Sequence, residues 1–126
     1  MKKDKKSMKE IEERKWEIHK ALGRLYDKQK ECDQLEKNII SFEEESQWQN
    51  KKIKSVNDDL YDSYPEDNKL RTLLLEKEDL MKRKMSDENL FIEECYNLVR
   101  TQKRNIEYKR EEYEQELFLL NRKEDE

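Results

Sequence analysis

Apolar residues return every seven positions through most of this 126-residue chain. Ile11, Ile18, Leu25, Cys32, Ile39, Ser46, Ile53 and Leu60 form one row, with Leu22, Leu35, Phe42 and Val56 as companions three or four positions away. A second series runs Leu70, Leu74, Met81, Met85, Ile92, Val99, Ile106, Tyr113 and Leu120, with Cys95, Tyr96 and Leu117 beside it. A seven-residue period holds a stripe on one side of an α-helix, whereas a half-buried strand alternates with period two. The pattern therefore predicts long helices packed along a narrow seam. One Gly and one Pro could not supply the turns of a sheet protein of this length.

The series breaks once, in the segment from Asp58 to Asn68 that contains Pro65. Proline drives the preceding Tyr64 out of helical geometry and is itself well placed at a first helical position. Ser63 or Tyr64 then serves as the cap, and Ser63-x-x-Glu66 fits a capping box. These signals predict helices over residues 7–61 and 65–122, with frayed tails at 1–6 and 123–126. The fold class is all-α: a single domain made of a long, antiparallel, coiled-coil-like two-helix hairpin. With the turn centred between residues 63 and 64, facing residues have numbers summing to about 127. Ile53 is then expected opposite Leu74, Phe42 opposite Met85, Leu35 opposite Ile92, and Cys32 opposite Cys95. Ser46, Gln49, Gln29, Glu88 and Gln102 interrupt the seam with polar groups, and Gly23 lies inside the first helix.

Seven apolar residues fall off the seam. Leu73, Leu80, Phe91 and Leu98 belong to the second helix; Tyr26, Ile40 and Trp48 belong to the first. So wide an apolar arc exceeds what two helices can cover, so these residues are the candidate contacts for a further helical partner.

Chemistry has little to work with. The 28 basic and 32 acidic residues are mixed along the chain, which argues against a nucleic-acid-binding face. A lone His19 and one glycine leave no zinc signature, phosphate loop or nucleophile–base arrangement. Cys32 and Cys95 form no metal or redox motif and are read as reduced thiols in a cytoplasmic protein. No apolar run is long enough for membrane insertion or for a signal peptide. No catalytic, cofactor or metal site is expected, and the chain is not read as an enzyme.

This layout, from Ile11-Glu-Glu-Arg through Asp58-Asp-Leu-Tyr to Glu114-Gln-Glu-Leu-Phe118, resembles the small helical proteins associated with LXG-domain toxins of the Gram-positive type VIIb secretion system. That group is similar to the WXG-type secreted hairpins. The resemblance implies a targeting factor, or chaperone, that binds the helical N-terminal domain of an LXG toxin. It further implies a second small helical targeting factor as a partner, and co-export with the toxin. Tyr108 and Glu112 match the Tyr-x-x-x-Asp/Glu secretion motif of WXG-type proteins. The Trp-x-Gly of their turn is missing: Trp16 and Trp48 lack it, and Pro65 occupies the turn instead. Two other readings fit the same residues. One is a homo-oligomeric structural coiled coil whose arc closes on another copy; the other is an export chaperone of the FliJ kind.

Overall fold

The computed structural model describes residues 5–125, and over them the chain is an all-α hairpin. Helix α1 spans Lys5–Ser63 and α2 spans Asn68–Asp125, and the two pack against each other. Both run slightly beyond the expected ends. Lys5, Lys6 and residues 123–125 are helical, and the remaining parts of the expected tails, 1–4 and 126, lie outside the described residues. Arg122 and Lys123 occupy the last turn of α2, where positive charge complements the helix dipole.

The turn sits two to three residues later than expected. Helix α1 continues through Ser63, with the Tyr64 N–H donating to the Leu60 carbonyl at 3.0 Å. Tyr64, Pro65, Glu66 and Asp67 then make a turn in which the Asp67 N–H donates to the Tyr64 carbonyl at 3.3 Å. Pro65 takes the second position, where its fixed φ is favourable. The cap of α2 is Asp67, not Ser63 or Tyr64: its Oδ1 accepts the Leu70 N–H at 3.0 Å. An Asp at this position satisfies one of the orphan donors at a helix start.

Contacts along the hairpin cluster into two compact units. The first comprises Met1–Leu35 and Val99–Glu126; the second is Glu36–Leu98. In the first unit the predicted seam is buried: Ile11, Ile18, Leu25 and Cys32 from α1, Val99 and Ile106 from α2, with Ile18 fully enclosed. An ion-pair fence flanks it. Arg14 grips Glu116 with two bonds, Nε to Oε1 at 2.7 Å and Nη2 to Oε2 at 3.1 Å. Lys15 pairs with Glu124, and Lys103 Nζ lies 3.0 Å from Asp33. The hydrogen bonds from Arg14 hold the Glu116 carboxyl below the usual carboxylate range; the guanidinium is raised in turn, chiefly by its bond to Glu116. A Cβ added at Gly23 would meet open space, so nothing among the described residues approaches that glycine closely.

The second unit is built differently. Leu74 and Ile92 are buried, and Ser46 donates a hydrogen bond from Oγ to Glu88, joining two of the polar seam residues. Phe42 meets Phe91 edge-on, with ring centroids 6.2 Å apart. These two pairings have numbers summing to 134 and 133 rather than 127. Moving the turn to Tyr64–Asp67 accounts for much of that offset, and the tilt of side chains toward each helix N-terminus adds to it.

Candidate partner-binding face

On its α1 side, the second unit inverts the ordinary relation between polarity and burial. On α1 the row continuing from Leu22 through Gln29, Glu36 and Glu43 ends in Asn50 and Asn57, and it turns inward. Asn57 is only 5% exposed, and Asn50 is buried as well. The apolar companions expected in the seam, Phe42 and Val56, face outward together with Ile53, and Val56 is 53% exposed. Leu35 in the first unit is exposed too. The amide Oδ1 of Asn50, the amide Nδ2 of Asn57 and the hydroxyl of Tyr61 are buried without hydrogen-bond partners. A buried polar group left unsatisfied costs about 1–3 kcal/mol, while each exposed aliphatic forgoes a burial gain of similar size.

Helix α2 carries a row of four exposed apolar side chains in this unit. Leu73, Leu80, Phe91 and Leu98 follow at intervals of seven, eleven and seven residues. At about 100° per residue all four fall within about 20° of one line along the helix. All are more than half exposed, Leu98 most of all at 67%. Phe42 of α1 reaches this row through its contact with Phe91. Further along α1, Trp48, Ile53 and Val56 line a groove of about 530 Å³, with Lys77 of α2 on its margin. Leu73, Leu80, Phe91 and Leu98 are therefore assembled on one face, with Trp48 in a groove of the same unit.

Two of the seven expected contacts do not join that face. Ile40 lies about 160° around α1 from Phe42, on another side of the helix. Tyr26 belongs to the first unit, where it is exposed on its own. Lysines cover some of the exposed rings one helical turn on. Lys30 Nζ stands 4.6 Å from the Tyr26 ring centroid, Lys52 Nζ 4.9 Å from that of Trp48, and Lys20 Nζ 4.0 Å from that of Trp16. Such cation–π contacts shield an aromatic face without burying it. The leucines of the α2 row have no ring to attract a cation in this way, and they stand exposed.

No family model matches this chain, and neither a curated protein nor a solved structure matches it significantly.

Sequence reading missed Ile53, Val56 and Phe42 as surface residues because hydrophobicity alone assigned them to the seam. The signal against that assignment was the spacing of Asn50 and Asn57, which extends the Leu22–Glu43 row in strict heptads. Leu75 and Leu90 are exposed as well and were not picked out. Tyr108 and Glu112 are both exposed in the first unit and border a shallow groove with Leu25 and Lys28. They lie within α2 rather than beyond its end. Cys32 and Cys95 are free thiols, the first buried and the second half-buried. Among the described residues no cluster of His, Cys, Asp and Glu is arranged to hold a metal, and no helix is long and apolar enough to cross a membrane.

Proposed function

We propose that this chain is a non-enzymatic adaptor that uses the face built on Leu73, Leu80, Phe91 and Leu98 to bind a helical segment of another protein. The observation that carries the reading is the inversion in the Glu36–Leu98 unit, where asparagines are buried and aliphatics exposed. Four apolar side chains aligned over about 38 Å suit the apolar positions of an amphipathic helix laid alongside them. Adding a third helix would cover the row and remove apolar surface from water.

The resemblance in layout to LXG-toxin-associated proteins makes the helical N-terminal domain of such a toxin the proposed partner. In that role the adaptor would stabilise the toxin and target it to the type VIIb secretion system, together with a second small helical targeting factor. It would act in the cytoplasm and be co-exported or left behind according to which subunit carries the secretion signal. Tyr108 and Glu112 are the proposed signal on this chain. Their position inside α2 favours the alternative that another subunit provides it.

Affinity purification of the full chain from its native cytosol, with mass spectrometry of co-eluting proteins, tests the assignment. A stoichiometric LXG-domain protein is the expected result. Recovery of the chain with no other protein at stoichiometric level would contradict it.

A further inference from the structure

The groove beside Trp48 carries charge of one sign. Trp48, Ile53 and Val56 give it apolar walls, Lys52 of α1 and Lys77 of α2 line it as well, and no acid among the described residues does. Around α1, at about 100° per residue, Val56 lies between Ile53 on the side of the seam and Lys52 on the outer side. An apolar strip is thus bordered by one lysine from each helix. Among the described residues neither lysine is paired with a carboxylate. Lys52 rests over the Trp48 ring, with Nζ 4.9 Å from its centroid, and Lys77 is exposed. The chain has 32 acidic residues against 28 basic ones, so two unpaired cations around an apolar strip stand out from its mixed surface. The groove also adjoins the docking row: Lys77 lies one turn from both Leu73 and Leu80, about 40° to 60° around α2 from them.

We propose that the helix docking on this unit carries acidic side chains on both flanks of its apolar stripe where it crosses the groove. In packed helices the charges bordering an apolar seam choose the partner and fix its orientation. Here the partner's apolar side chains cover Ile53 and Val56, one acid meets Lys77, and another draws Lys52 off the Trp48 ring. Trp48 is then free to pack against the incoming helix. A carboxylate attracts an ammonium with a full charge, whereas a ring face offers only its quadrupole, so the exchange is favourable. Glu45 and Asp59, seven residues to either side of Lys52, reverse the sign of that row. The requirement for acid is therefore confined to the stretch of partner opposite the groove.

The inference rests on the adaptor reading and names the charge that its partner helix must carry. Three synthetic, tryptophan-free helices with identical apolar stripes, bordered by Glu, Gln or Lys, test it by calorimetry and by Trp48 fluorescence of the Trp16→Phe chain. The chain's net charge of −4 favours the Lys-bordered helix by bulk attraction, so the expected preference runs against it. The Glu-bordered helix should bind one to one at least about tenfold more tightly than the Lys-bordered one, with Trp48 emission moving to shorter wavelength. Lys52→Glu with Lys77→Glu should reverse that preference with helical circular dichroism unchanged, since both side chains are exposed. The same change of net charge made in the first unit, Lys5→Glu with Lys9→Glu, should leave the preference in place. A Gln-bordered helix that binds as tightly as the Glu-bordered one, or a preference lost equally in both double variants, overturns the inference and leaves the docking face standing. Binding by none of the three would overturn it and count against the adaptor reading as well.

Discussion

At the scale of single residues, Asn57 and Arg14 show the two ways this hairpin treats polarity. Asn57 is buried with its amide Nδ2 unsatisfied, so its presence costs the isolated chain free energy. Asn57→Leu should therefore stabilise the chain by about 1 kcal/mol, measured by urea denaturation. A loss of stability would mean that the amide is satisfied in solution. Arg14 works the other way, in an exposed two-bond grip on Glu116. Glu116 gives up its proton more readily in the folded chain than when unfolded. The pair therefore contributes fully above the ordinary carboxylate range, and that contribution is lost as pH falls through the depressed folded value. An NMR titration should find Glu116 titrating below the ordinary carboxylate range, and Arg14→Gln should return it to that range. The Arg14–Glu116 grip was not legible from sequence, because with this many charged residues nearly every register offers some opposite pair.

At the scale of the elements, the existence of two helices and the site of the break were legible, and the details of the turn were not. Ser63 and Asp67 are both competent caps. Pro65 decided between them by taking the second position of the turn rather than the first of a helix, which left Asp67 to bond Leu70. Asp67→Ala should cost about 1 kcal/mol in chemical denaturation, whereas Ser63→Ala should cost little. Gly23 lies mid-helix with open space where a Cβ would stand. Gly23→Ala should accordingly stabilise the chain by about 1 kcal/mol in the same measurement. The seam of the first unit was readable because Ile11, Ile18, Leu25, Val99 and Ile106 leave no competing row. In the second unit Phe42 and Val56 compete with Asn50 and Asn57 for the interior. A hydrophobic pattern read one helix at a time favours the wrong row there, since it ranks residues by apolarity and not by which row faces the other helix.

At the scale of the whole molecule, a hairpin that buries amides while exposing phenylalanine and leucine fits the proposed role of binding another helix. Sequence alone picked out Leu73, Leu80, Phe91 and Leu98 because they fall off the heptad; that they form one straight row required counting across the eleven-residue step. Tyr26 and Ile40 share their hydrophobicity but not their position, and they are expected to contribute nothing to binding at this face. The measurement that bears most directly on the docking claim is the affinity of the purified chain for its co-purified helical partner, compared with the Phe91→Glu, Leu98→Glu double variant. Both side chains are exposed, so the variant should keep its helical content. The face as described predicts a loss of at least about a hundredfold, since two desolvated apolar contacts are replaced by buried charge. An unchanged affinity in a folded variant would contradict it and place the partner elsewhere on the hairpin.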